Sequence, residues 1–178
     1  MDNISLFHLI FGLNGKNSIL DYLMISGAES LIYLAIGLSC LLAFRGKVSE
    51  KKAFLLTLIS FPIMVVIIKS IHIFFFEARP FVTYDILPLI SYLHEDASFP
   101  SRHASTIAVI AFAYSYYKSK WTPLFLFLML WIGFSRIFVG VHYPLDILGG
   151  FGTGLASVAI SIQLKKLLNG LFIQSLKS

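Results

Sequence analysis

Residues 53–76 read Ala-Phe-Leu-Leu-Thr-Leu-Ile-Ser-Phe-Pro-Ile-Met-Val-Val-Ile-Ile-Lys-Ser-Ile-His-Ile-Phe-Phe-Phe, a nearly unbroken apolar run in which Lys69 is the one formally charged residue. At about 1.5 Å per residue, such a helix exceeds the roughly 30 Å of hydrocarbon in a bilayer. The whole chain has the same character, since 57% of its 178 residues are hydrophobic and 13% are charged. A soluble domain carries about 25% charged residues and a disordered chain more, so both classes are excluded. The expected fold is an all-α integral membrane protein.

Working outward, residues 18–44, 101–118, 121–138 and 144–164 give four further spanning candidates. The chain therefore reads as a single bundle of about five transmembrane helices. Asp21 and Glu29 fall in the outer part of the first span, where Ser26-Gly27 is a possible kink. Residues 4–12 are too short to cross and are expected as an N-terminal interfacial helix, with His8 toward the headgroups. Asp2 and the polar stretch Gly12-Leu13-Asn14-Gly15-Lys16 do not fit a cleaved leader, so this segment is expected to remain attached. No repeat or linker divides residues 1–178, which read as one domain. The lone Cys40 rules out a disulfide framework and a cysteine metal cluster. Without a Lys/Arg-rich run, nucleic acid is not an expected partner, whereas membrane lipids are.

Loop charge sets an expected orientation. Arg45, Lys47, Lys51, Lys52, Lys118, Lys120, Lys165, Lys166 and Lys177 all fall on one side, which the positive-inside rule makes cytoplasmic. With five spans, the N-terminus is then outside and the C-terminus cytoplasmic. Arg79, Arg102 and Arg136 stay on the outer side, beside His, Ser, Pro or Asp residues that require another explanation. The outer connection 77–100, which includes His94, Glu95 and Asp96, is long for a compact bundle and is expected to cover a site.

Three clusters border the spans on that side. Glu77-Ala78-Arg79-Pro80 ends the second span, with Pro80 disfavouring helix at Arg79 and leaving its guanidinium at the interface. In Pro100-Ser101-Arg102-His103, Ser101 is a candidate N-cap that puts His103 in the first helical turn. In Ser135-Arg136 followed by His142-Tyr143-Pro144-Leu145-Asp146, Pro144 suits a first helical position, with Asp146 in the turn that follows His142. Three Arg, two His, one Asp and two helix N-termini on one face are equipment for a phosphate ester or anhydride. One neutral imidazole can attack phosphorus while the other, protonated, serves the leaving oxygen, and an acidic partner fixes the attacker's tautomer. Each cluster alone has a structural reading as anchor, cap or hydrogen-bonded pair. Their joint placement in an otherwise uncharged bundle favours function, because ionisable groups at membrane depth are costly.

In order and spacing, Arg79-Pro80, Pro100-Ser101-Arg102-His103 and Ser135-Arg136-x5-His142-x3-Asp146 resemble the three-part signature of the type 2 phosphatidic acid phosphatase superfamily, over about residues 69–150. The flanking stretches from Phe76, Asp96 and Gly133 resemble the bacitracin-resistance type of undecaprenyl pyrophosphate phosphatase within it. The resemblance implies that His142 is the nucleophile forming a phosphohistidine, Asp146 its orienting partner and His103 the general acid that later activates water. It implies phosphate binding by Arg79, Ser101 and Arg136, and no metal or other cofactor. It further implies that the chain converts undecaprenyl diphosphate to undecaprenyl phosphate and inorganic phosphate at the outer face of a bacterial plasma membrane. Alternatives are a phosphatase for phosphatidic acid, phosphatidylglycerol phosphate or short prenyl diphosphates, and a non-catalytic lipid-binding or transport protein. The intact histidine pair argues against the last.

Two positions depart from the superfamily pattern. Where its first motif has Lys, seven residues before the Arg, this chain has His72, with Lys69 one turn deeper. Either could be the phosphate ligand or a polar group bonded to a neighbouring helix, and the reading favours Lys69. Where the superfamily usually has Gly, this chain has Arg102, which suits the extra charge of a diphosphate or else a snorkelling role.

Overall fold

The computed structural model describes residues 2–91 and 97–175, with side chains through Leu168. His94, Glu95, Asp96 and Lys177 lie outside the described residues. Eight helices form among the described residues, with no strand: α1 (Asn3–Phe11), α2 (Ser18–Glu29), α3 (Leu31–Arg45), α4 (Val48–Phe74), α5 (Pro80–Thr83), α6 (Arg102–Tyr116), α7 (Thr122–Phe138) and α8 (Pro144–Ser175).

By length and composition, α4 and α8 can each cross a membrane, and α2 with α3 make a third span if the bent pair is one. The bend is 52° and falls at Ser30 instead of Ser26-Gly27. Ser26 Oγ bonds back to the Tyr22 carbonyl at 2.6 Å and α2 continues through it. Gly27 has another use, because a Cβ there would lie 2.7 Å from the Trp131 indole nitrogen of α7. The expected spans at 121–138 and 101–118 are helices of 17 and 15 residues. They are shorter because the expected ranges included cap and turn residues, among them Lys118 with φ 50°. Conversely α4 starts at Val48, so Val48–Lys52 of the expected basic loop are helical.

The centre of the bundle is α6, packed by α3, α4, α7 and α8 and buried from Ala104 through Ala111. Its approach to α8 depends on small residues four apart on each helix. A Cβ on Gly150 would stand 2.7 Å from Ala104 Cβ, and one on Gly154 would stand 2.6 Å from Ala108 Cβ. Such small-residue seams let helix backbones approach where lipid removes the hydrophobic drive to associate. Interhelical hydrogen bonds add to this: Ser60 Oγ donates to Ser161 Oγ at 2.9 Å, and the Ser39 and Tyr114 hydroxyls pair at 3.1 Å. Bonds of this kind contribute on the order of 0.6 kcal/mol each within membranes.

The two ends of the bundle differ in charge. Arg45, Lys47 and Lys120 border one hollow and Lys52 and Lys165 another, all at the end where α3, α6 and α8 finish their cores. At that end Glu50 is 1% exposed and accepts a bond from Ser119 Oγ at 2.9 Å. The other end holds α1, whose Phe7 is buried against Tyr84 and Tyr143. Asn3 accepts a hydrogen bond from Leu145 N there, which ties α1 to the start of α8.

Candidate active site

The end that carries α1 also gathers the three sequence clusters. Helix α4 stops at Phe74, and an extended stretch leads to Arg79, whose φ of −68° and ψ of 154° suit a residue before proline. The Arg79 guanidinium, expected at the interface, is enclosed by protein there. It is 2% exposed, because the side chain reaches in to the His142 turn and to the Ala97 carbonyl. Its Nη1 donates to the Val141 carbonyl at 3.0 Å and lies 3.0 Å from His142 Nε2, while Nη2 donates to the Ala97 carbonyl at 3.4 Å.

His142 sits in the short connection between α7 and α8. Gly140 makes that turn possible, since its φ of +89° is one that side chains rarely adopt, and a Cβ would press on the Phe11 ring. Helix α8 then begins at Pro144, and Asp146 in its first turn points back. Asp146 Oδ2 accepts from Tyr143 N at 2.8 Å, stands 3.2 Å from His142 Nδ1, and takes a short hydrogen bond from Ser98 Oγ. Arginine has only donors, so the ring nitrogen facing Arg79 must be the unprotonated one. The proton is thereby assigned to Nδ1, facing Asp146, and the Nε2 lone pair is left for chemistry. Burial, followed by the charges of Arg79 and Arg136, holds His142 well below the ordinary imidazole value of 6.5. The ring is therefore neutral at physiological pH.

Ser101 caps α6 and is fully buried, and its backbone N–H donates to the Asp146 carbonyl at 3.0 Å. This bond joins the second cluster to the third. It also sets His103 in the first turn of α6, where His103 and Arg136 border a cavity of about 350 Å³ with Glu29 and Ser91. Arg136 is 2% exposed and donates to the Ala28 carbonyl at 3.1 Å, next to the α2–α3 bend. Lys69, His72 and Arg102 gather on another side of the α6 start, in a groove between α4 and α6. Among the described residues, no three His, Cys, Asp or Glu side chains group so as to hold a metal ion.

Ser98 is a site residue that the sequence reading missed. It is fully buried, its N–H donates to the Glu77 carbonyl at 2.8 Å, and its hydroxyl lies 3.4 Å from His142 Nδ1 as well as bonding Asp146. Its one sequence signal was position, three residues before the Ser101 cap within a string already singled out. The 77–100 connection supplies Arg79, the Ala97 carbonyl and Ser98 to the site.

Comparison with known proteins gives a consistent likeness. The family described as the PAP2 superfamily matches residues 50–169. The chain is 38% identical to undecaprenyl-diphosphatase BcrC of Bacillus subtilis over 83% of its own length and 76% of that protein's. The crystal structure of Aquifex aeolicus LpxE is similar with a TM-score of 0.67 and 26% identity, covering 90% of this chain and 94% of that one. A transmembrane PAP2-type phosphatidylglycerolphosphate phosphatase from Bacillus subtilis gives a TM-score of 0.62 and 25% identity, covering 91% and 85%.

Proposed function

Because the chain belongs to the PAP2 superfamily, we propose that it is a membrane enzyme that hydrolyses undecaprenyl diphosphate to undecaprenyl phosphate and inorganic phosphate through a phosphohistidine on His142. The observation that carries this reading is the neutral His142 ring, held between Arg79 at Nε2 and Asp146 at Nδ1. The name of the relative from Bacillus subtilis supports the substrate.

In the reaction, the terminal phosphate enters between Arg79 and the Nε2 lone pair. Nε2 forms a bond to phosphorus, the bond from phosphorus to the bridging oxygen breaks, and that oxygen leaves with its electron pair on the lipid phosphate. Arg79 and Arg136 stabilise the equatorial oxygens, where charge builds in the transition state. Asp146 holds the ring and stabilises the positive charge it gains, and Ser98 steadies Asp146. His103 gives its proton to the departing oxygen. It then takes one from water, which attacks the phosphohistidine and frees inorganic phosphate, returning His142 to its neutral form.

The basic residues at the opposite end of the bundle support a cytoplasmic placement of that end. The site then faces the outside of a bacterial plasma membrane, where the product is available for reuse as a carrier lipid. The direct test supplies purified protein in detergent with undecaprenyl diphosphate, phosphatidic acid and phosphatidylglycerol phosphate and measures released phosphate. Faster turnover of the diphosphate supports the proposal, and preference for either monophosphate replaces it with the alternative suggested by the phosphatidylglycerolphosphate phosphatase likeness.

A further inference from the structure

The groove between α4 and α6 has a volume of about 470 Å³ and two distinct parts. Phe61, Met64, Val65 and Ile68 form an apolar strip along one face of α4, at the three- and four-residue spacing of a helix. From Phe61 to Ile68 the strip runs about 10 Å along the helix axis. At its upper end it meets Lys69, His72 and, across from α6, Arg102. His72 Nε2 is buried there with no hydrogen-bond partner among the described residues. His72 also lies within electrostatic reach of both Arg102 and Arg79, the latter already against His142, so the groove lies beside the catalytic site.

Resting on the diphosphatase reading, we infer that this groove is the leaving-group subsite: Lys69, His72 and Arg102 hold the phosphate that stays on the lipid, and the strip from Ile68 to Phe61 holds the first part of its tail. Charge and shape both support this occupant. A diphosphate brings one more anionic group than Arg79 and Arg136 serve, and the three additional basic side chains stand where an apolar channel begins. The unsatisfied His72 nitrogen gains a phosphate oxygen as a partner.

The subsite has a chemical consequence. When Nε2 bonds to the terminal phosphorus and the bond to the bridging oxygen breaks, the electron pair passes to a phosphate, and cations around that phosphate stabilise it as it departs. A lipid monophosphate instead expels an alkoxide from carbon-bound oxygen and has no second phosphate for the trio to hold. The groove therefore selects diphosphates by the leaving group, while Arg79 and Arg136 treat the attacked phosphate of either substrate alike.

The test compares kcat/KM for a prenyl diphosphate, farnesyl diphosphate, with that for phosphatidic acid in the unmutated enzyme and in Arg102→Gly, Lys69→Met and His72→Gln. The expected result is a fall of at least tenfold in the diphosphate-to-monophosphate ratio for Arg102→Gly and Lys69→Met, with a smaller fall for His72→Gln. Val65→Trp, which fills the apolar strip, should raise KM for farnesyl diphosphate, whose tail runs the length of the strip, severalfold more than for dimethylallyl diphosphate, whose single isoprene unit stops short of it. Equal losses on both substrates in the cation variants, or a chain-length response unchanged by Val65→Trp, overturn the inference and leave the diphosphatase reading standing. An unmutated enzyme that hydrolyses the monophosphate and no diphosphate overturns both.

Discussion

Arg79 Nη1 lies 3.0 Å from Nε2 of His142, on the edge of the ring opposite the Asp146 carboxylate. The guanidinium disfavours the imidazolium form, and in the proposed mechanism it also contacts the phosphate under attack. Burial is the larger cause of the depressed His142 pKa, and Arg79 is the next. Arg79→Ala should lower kcat/KM at least a hundredfold through the lost phosphate contact. It should also let His142 take a proton at higher pH, so the acidic limb of the kcat/KM profile should move upward. A large rate loss with an unmoved limb would show that Arg79 binds phosphate without tuning the ring.

Ser98 bonds the same carboxylate oxygen that faces His142. Its hydroxyl positions that oxygen, so Ser98→Ala should lower kcat roughly tenfold with a smaller change in KM. Ser98→Thr, which keeps the hydroxyl, should recover part of the loss. Equal KM effects from both variants would point to a general packing defect.

The α6–α8 seam predicts a contrast between neighbouring glycines. A Cβ on Gly150 would come within 2.8 Å of the Ser101 carbonyl, whereas Gly152 has nothing within 4 Å. Gly150→Ala should destabilise the folded protein by about 1–3 kcal/mol. It should also reduce activity, because Ser101 and the His103 turn must shift. Gly152→Ala should leave thermal stability in detergent nearly unchanged, and similar losses from the two would refute the seam.

Sidedness is tested by introduced cysteines in a Cys40→Ser background. Ser91 is exposed near the site and Lys47 is exposed at the basic end, whereas Ser119 is 5% exposed and bonded to Glu50, so it would be silent on either side. In intact cells, an impermeant thiol reagent should label Ser91→Cys and spare Lys47→Cys. The reverse pattern would put the catalytic end in the cytoplasm.

Features set by local chemistry were legible in the sequence. The Ser101 cap, the Pro144 helix start and the return of Asp146 toward His142 each depend on residues within about one turn, and each is found as read. Long-range features were not. Pro80 signals a stop and the family resemblance gives Arg79 a phosphate role, but nothing local shows the chain leaving α4 at Phe74 and carrying the guanidinium to the Val141 carbonyl. The helix continues through Ser26-Gly27 and breaks at Ser30, and Gly27 is small for Trp131, a residue more than a hundred positions away. Gly150 and Gly154 were visible as small residues at helical spacing, but their partners Ala104 and Ala108 become evident only when α6 and α8 are packed.

The central claim is that His142 becomes covalently phosphorylated, and trapping that species tests it most directly. Unmutated enzyme is mixed rapidly with undecaprenyl diphosphate carrying a radiolabelled terminal phosphate, quenched in alkali and freed of lipid, and the label remaining on protein is measured. The account predicts label that survives alkali and is lost in acid, as expected for a phosphohistidine. His103→Ala should accumulate more of it, because water attack then lacks its base, and His142→Ala should carry none and release no phosphate. Unchanged turnover by His142→Ala, or label that persists on that variant, would contradict the account.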